Sequence, residues 1–267
     1  MDELGLALHN GERWASEAIS VLDPMVTRGD GCFEAVRTYG GAMVGLDAHL
    51  ARLDRSAKKM AIALPPLASI REWVVDVAGD RGDGVVRVFV SADGDASNVY
   101  VFSTSLPNLP TTQRLLPVAA PWHPGGMQWE LAGVKTLSYA ANVSATRVAN
   151  QAGFDDALLV SREGIILEAP TAAVLWVVDG VIEIAELDLG ILESVTAAMA
   201  LETARSEGLE VRDGRFPLDR FARASEVAIM STTREIVPVV AVGDREFPAG
   251  PVTGMLADSY RAAMVSG

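Results

Sequence analysis

The stretch "GVKTLSYAANVSATRVANQAG", residues 133–153, sets the reading of this chain. It reads as a loop carrying Lys135, then a helix from about Ser138 that Gly153 closes at its C-terminal end. Lysine is scarce here. Lys58, Lys59 and Lys135 are the only three among 22 basic residues, and the other 19 are arginines. A lysine amine can lose its proton and attack a carbonyl to form a Schiff base, which a guanidinium cannot do. Position alone makes Lys135 a solvated residue at a helix start; its scarcity weighs the other way.

Upstream, Asn10-Gly11 and Gly40-Gly41 are hairpin signals, the first after "LGLALH", the second between "CFEAVRTY" and "AMVGL". Asp47 is placed to cap a helix running to about Ala63, with Leu50, Leu53, Ala57 and Met60 on one face. A second helix is predicted around Ser69 to Ala78, then strands "VVRVFVSA" and "VYVFSTS". The proline-rich "LPNLPTT", residues 106–112, reads as a linker. Downstream, strand "LLPVAAP" leads into the loop "WHPGG". Past the Lys135 helix come "DDALLVSREGIILEA" and a hairpin turning on Asp179-Gly180. A helix from Val195 to Glu207 ends at Gly208, and "EVAIMSTTREIVPVVAV" gives strand, turn and strand. Because most strands arrive as hairpins, the expected fold class is α+β. The expected domains are an N-terminal α/β domain over 1–107, a linker at 108–112 and a β-rich C-terminal domain over 113–267.

Composition excludes several classes. The 267 residues carry a formal charge of −13, which argues against nucleic acid or an anionic membrane as partner. No apolar run reaches the roughly 18 residues of a membrane span, and "MDELGLALHNGER" lacks the features of a signal peptide. A single cysteine, Cys32, suits a reducing, cytoplasmic setting, and it reads as a small core or near-site residue rather than a nucleophile. His9, His49 and His123 lack metal-ligand spacing, so no metal site is expected.

Glu168, at the end of "GIILE", would be costly to bury without a cationic partner, and a protonated pyridine nitrogen is one such partner. Three segments could hold a phosphate. Ser194-Val195-Thr196 opens a helix, Ser231-Thr232-Thr233 lies in a tight turn, and Arg52 sits on the helix near Asp47. Each is common by itself: a cap, a hydroxyl-rich turn, a surface arginine. Their conjunction with Lys135 and Glu168 is what informs.

In order and content these segments resemble the class IV, fold-type IV pyridoxal-phosphate enzymes. That family includes branched-chain, D-amino-acid and (R)-selective amine transaminases and 4-amino-4-deoxychorismate lyase. The matching segments are "RGDGCFEAVRTYGG", "AHLARLDRSA", the Lys135 stretch, "GIILEAPTAAVLWVVDG", "GILESVTAA", "EVAIMSTTREIVPV" and "GPVT", from about residue 28 to 254. The resemblance implies that Lys135 carries pyridoxal 5′-phosphate as a Schiff base and that Glu168 pairs with its ring nitrogen. It implies that Arg52, Val195, Thr196 and Thr232 hold the phosphate, with Thr233 on the substrate side of the same turn. It also implies a cofactor site between two domains, a homodimer, and a ping-pong exchange between an amino donor and a keto acceptor.

The sequence departs from the family pattern in four places. The E-G-[ST]-x-S-N run reads Glu168-Ala-Pro-Thr-Ala-Ala173, and the G-I-T-R turn reads Ser194-Val-Thr-Ala197. Tyr139 stands four residues after the lysine, where branched-chain members have a tyrosine at five. The region that carries an arginine in the D-amino-acid enzyme and the lyase reads "VSADGD". The leading reading is a transaminase, ahead of an aminodeoxychorismate lyase and of a non-catalytic relative.

Overall fold

Asn10-Gly11, Gly40-Gly41 and Asp179-Gly180 fold as sharp turns in which both residues have positive φ, at 50° and 84°, 58° and 89°, and 53° and 81°. That pair of left-handed conformations is what a two-residue hairpin needs to match the twist of its strands. The computed structural model describes residues 6–14, 18–108, 110–127 and 129–266, without the side chains of 265 and 266. Leu4 and Gly5 of the expected first strand, and Leu109 of the expected linker, lie outside the described residues. The chain packs as two units, Met1–Asn108 with Val134–Tyr139 and Ala263–Gly267, and Leu109–Gly133 with Ala140–Ala262. The short segment carrying Lys135 therefore belongs with the first unit.

The first unit holds β1 (Ala7–His9), β2 (Glu12–Arg13), α1 (Pro24–Arg28), β3 (Gly31–Tyr39), β4 (Ala42–Met43), α2 (Leu46–Lys59), α3 (Leu67–Arg81), β5 (Gly84–Asp93) and β6 (Ala96–Thr104). Its strands form one antiparallel sheet in the order β2-β1-β6-β5-β3-β4. Alternation along β3 buries Cys32, Glu34, Val36 and Thr38 on one face. That face packs with Leu50, Leu53 and Ala57 of α2, Ile70, Val74 and Val77 of α3, and the valines of β5 and β6. Each buried leucine, isoleucine or valine among them stabilises the unit by about 1.5–3 kcal/mol. Phe33, Phe89 and Phe102 occupy the other face in edge-to-face pairs, with ring centroids 5.8 and 5.1 Å apart.

Asp47 does not cap α2. The helix begins at Leu46 after Gly45, whose φ of 72° turns the chain inward, and Asp47 lies in the first turn, paired with Arg71. A carboxylate there still complements the helix dipole. The helix stops at Lys59, before the expected Ala63, and Ala61 adopts φ 55°.

The second unit holds β7 (Gln113–Ala119), α4 (Ala140–Gln151), β8 (Asp156–Val160), β9 (Ala173–Val178), β10 (Val181–Ala185), α5 (Val195–Ser206), β11 (Val211–Gly214), β12 (Ala224–Ser231), β13 (Glu235–Val242), β14 (Arg245–Glu246) and, through Ala262, α6 (Pro251–Ser266). The sheet order is β11-β10-β9-β12-β13-β7-β8, with β14 on β13. β7–β8, β7–β13 and β10–β11 pair in parallel, so the sheet is mixed. Trp176, Leu158, Ile229 and Val239 are among its core residues. The stretch "GIILE" is not a full strand. It makes isolated bridges, Val160 with Ile166 and Ile165 with Pro217, and Leu167 N–H and Glu168 C=O both bond to Leu159. No helix among the described residues is long and apolar enough to cross a membrane.

Candidate active site

Lys135 is pinned by its backbone. Its N–H donates to Ser56 Oγ at 3.2 Å, and its carbonyl accepts the Phe33 N–H at 2.9 Å. Leu137 N–H donates to Gly31 C=O at 2.8 Å, so residues 135–137 run antiparallel along the start of β3. Gly31 permits this approach. A Cβ there would lie 2.4 Å from Val90 O and 2.8 Å from Leu137 Cδ1. The amine sits 4.3 Å from the centre of the Phe33 ring and 5.9 Å from that of Tyr139. Lys135 is half-buried, whereas Lys58 and Lys59 are exposed and Lys58 pairs with Asp54 one turn back. Lys135 is thus the least exposed of the three lysines.

Ser56, which receives the Lys135 N–H, stands one helical turn after Arg52 on α2. Arg52 is no surface arginine. It is buried and donates to Glu34 through Nε at 2.6 Å and Nη2 at 2.8 Å, while His49 Nδ1 lies 2.9 Å from the same carboxylate. Burial pushes the Glu34 carboxyl up. The charge and hydrogen bonds of Arg52, with those of His49, outweigh burial and hold it at about 2. The sequence reading missed Glu34; the signal that marks it is alternation, since it shares the core-facing phase of Cys32 and Val36. Burial, helped by the Glu34 charge, pushes the Cys32 thiol up to about 12, which suits an inert core residue. Arg87, on the aromatic face of β5 opposite Ala35 and Phe102, is held below the usual arginine range by burial.

In the second unit Glu168 is largely buried. One carboxylate oxygen accepts the Leu192 N–H at 3.2 Å; the other lies 3.8 Å from His123 Nε2. Gly125 N–H donates to His123 Nδ1 at 3.3 Å, which leaves the ring proton on the nitrogen facing Glu168. Leu192 lies three residues before Val195, where α5 begins. Ser194 caps that helix by accepting the Ala197 N–H, and its carbonyl accepts the Ala198 N–H. The N–H groups of Val195 and Thr196 have no intrahelical partner, as at every helix start. Thr196 is buried, and Thr232 and Thr233 lie half-buried in the turn between β12 and β13. Within each unit the expected residues are thus linked: Lys135 to α2 in the first, Glu168 to the α5 start in the second. Ser56, Phe33 and His123 were missed as their neighbours; only the fold brings them there.

Pyridoxal 5′-phosphate needs a carbonyl-reactive amine, an anion cup and an acceptor for a protonated ring nitrogen. The amine of Lys135 in the first unit, and the first-turn N–H groups of α5, the Thr232–Thr233 hydroxyls and the Glu168 carboxylate in the second, are groups of those three kinds.

The amino-transferase class IV family matches residues 31–242, and the chain belongs to that family of pyridoxal-phosphate enzymes. A putative branched-chain-amino-acid aminotransferase of Methanocaldococcus jannaschii is 28% identical, with 91% of this chain and 90% of that protein covered. A bifunctional aminodeoxychorismate lyase / D-amino acid transaminase of Mycobacterium tuberculosis is 28% identical, covering 91% and 92%. Among solved structures, the PLP-bound form of a hypothetical aminotransferase from Mycobacterium tuberculosis superposes with a TM-score of 0.88 at 26% identity, covering 99% of each chain. The fold is that of the fold-type IV transaminases, as the sequence led one to expect.

Proposed function

We propose that the protein is a pyridoxal-phosphate-dependent transaminase that moves an amino group from an amine or amino acid to a keto acid in a ping-pong cycle. The observation that carries the reading is Lys135: a half-buried amine under the Phe33 and Tyr139 rings, its backbone fixed on both sides. When bound, the cofactor supplies an electron sink that makes the substrate Cα–H acidic. Lys135 would hold the cofactor through its amine and, when that amine is free, would serve as the base that accepts and returns the substrate proton. Glu168, its carboxylate held by the Leu192 N–H, would accept a hydrogen bond from the protonated ring nitrogen. Val195, Thr196 and Thr232 would bind the phosphate, with Thr233 on the substrate side of the same turn; Arg52, whose guanidinium Glu34 orients, is the candidate phosphate ligand of the first unit.

A lyase releasing pyruvate from aminodeoxychorismate uses the same residues, and the Mycobacterium tuberculosis relative, named for both activities, favours it as the second reading. We further infer a cytoplasmic homodimer. One experiment separates the chemistries: incubation of the loaded enzyme with an amino donor and no acceptor. A transaminase accumulates the pyridoxamine form of the cofactor; a lyase releases pyruvate from aminodeoxychorismate without any acceptor. If neither happens with a panel of (R)- and (S)-amines, D- and L-amino acids and aminodeoxychorismate, the enzymatic reading fails.

A further inference from the structure

Arg234 follows Ser231-Thr232-Thr233 directly, and no role has fallen to it so far. Its side chain is 14% exposed and ties three separate segments together. Nε and the backbone N–H both donate to Ser231 Oγ at 3.3 Å, at the near end of the turn. Nη1 donates to Asp156 Oδ2 at 3.3 Å, on β8. Nη2 donates to Thr171 Oγ1 at 2.6 Å. Thr171 stands three residues after Glu168 in a tight turn that the backbone bonds between Ala169 and Ala172 close.

Asp156 is itself fixed, accepting from Thr146 Oγ1 at 2.8 Å and from the Ala157 N–H at 2.9 Å. The guanidinium therefore reaches back to a rigid strand rather than to a mobile side chain. The turn needs such a brace. Glu235, which ends it, has φ 61° without being glycine, a strained conformation that persists only when its surroundings enforce it. Arg261 holds the Glu235 carboxylate through Nε at 2.9 Å, so the turn is gripped from both ends.

We propose that Arg234 is a positioning residue for the cofactor's phosphate. It locks the Thr232–Thr233 turn against the turn that follows Glu168, setting the hydroxyls and N–H groups of the former in place before the anion arrives. A planar fork spreads its donors over three nitrogens and so reaches three separated acceptors, whereas the three donors of a lysine share one nitrogen. The proposal rests on the reading that Thr232 and Thr233 face the cofactor's phosphate end. It also assigns Thr171 a purpose in a segment that departs from the family's usual run. Thr171 accepts the shortest of the four bonds.

The test titrates cofactor-free, full-length protein with pyridoxal 5′-phosphate and, separately, with pyridoxal, following tryptophan fluorescence. The ratio of the two Kd values isolates the phosphate contribution, which a merely structural bridge would not change selectively. Arg234→Ala is expected to raise the Kd for the phosphorylated cofactor about tenfold or more while moving that for pyridoxal by less than about twofold. Arg234→Lys is expected to fall between, and Thr171→Val to shift the ratio in the same direction by less. If Arg234→Ala does not fold, judged by near-ultraviolet circular dichroism, the lysine and Thr171→Val variants carry the test. An unchanged ratio in the folded variants overturns the proposal. If Thr232→Ala with Thr233→Ala also leaves the ratio at the wild-type value, the phosphate reading of the turn has failed as well. A ratio that rises for the threonine variants and not for Arg234 refutes the proposal alone.

Discussion

Replacing Glu34 with glutamine tests the electrostatics that hold Arg52. Burial, taken alone, would push the Glu34 carboxyl up; Arg52 and His49 bring it from 4.5 to about 2. A carboxyl depressed in the folded state stabilises that state fully above its unfolded value. The contribution is lost as pH falls from about 4.5 through about 2. At about 1.4 kcal/mol per pH unit, it is roughly 3 kcal/mol. At pH 7, Glu34→Gln leaves the buried Arg52 facing a neutral amide, with an expected loss of about 3–5 kcal/mol. Urea unfolding of wild type and variant, followed by far-ultraviolet circular dichroism at several pH values between 7 and 2, gives the stability difference between them. Every other carboxylate is common to both proteins and cancels. The difference should hold steady from pH 7 to about 5, then shrink by roughly 3 kcal/mol on approach to pH 2. A difference independent of pH across that window would show that Glu34 is not a depressed carboxylate paired with Arg52.

Lys135→Arg preserves the charge and loses the nucleophile, so turnover should fall by roughly four orders of magnitude, as for Lys135→Ala; a kcat assay showing near-normal rates contradicts this. Glu168→Gln should lower kcat by about a hundredfold, since an amide supports a protonated ring nitrogen poorly; pre-steady-state absorbance would locate the loss in the proton-transfer step. Gly31→Ala places a Cβ 2.4 Å from Val90 O and 2.8 Å from Leu137 Cδ1, so one of β3, β5 or the 135–137 segment must shift. The expected cost is about 1–3 kcal/mol, with weakened cofactor retention, read by thermal unfolding and by dialysis.

Local chemistry made much of this fold legible. Asn10-Gly11, Gly40-Gly41 and Asp179-Gly180 announced their hairpins because few residues tolerate paired left-handed conformations. Leu50, Leu53 and Ala57 announced the inner face of α2 because helical spacing puts them there. The parallel pairings of β7 with β8 and β13 were illegible, since long crossovers leave no turn signature. Asp47 misled as a cap because Gly45 had already turned the chain. For the site, residue type pointed to Lys135 and Glu168. Their surroundings did not show in the sequence: Phe33 and Ser56 lie 102 and 79 positions from Lys135, and His123 lies 45 from Glu168. Arg234 passed unnoticed for a similar reason, since Asp156 and Thr171 meet it only after β8 and β12 are in one sheet.

Borohydride reduction of the protein loaded with pyridoxal phosphate, followed by peptide mass mapping, bears most directly on the assignment of Lys135. Only three lysines compete, and two of them, Lys58 and Lys59, are exposed. A phosphopyridoxyl mass confined to the peptide containing Lys135 is the predicted result. Absence of that mass from the peptide, or its appearance chiefly on Lys58 and Lys59, would contradict the account.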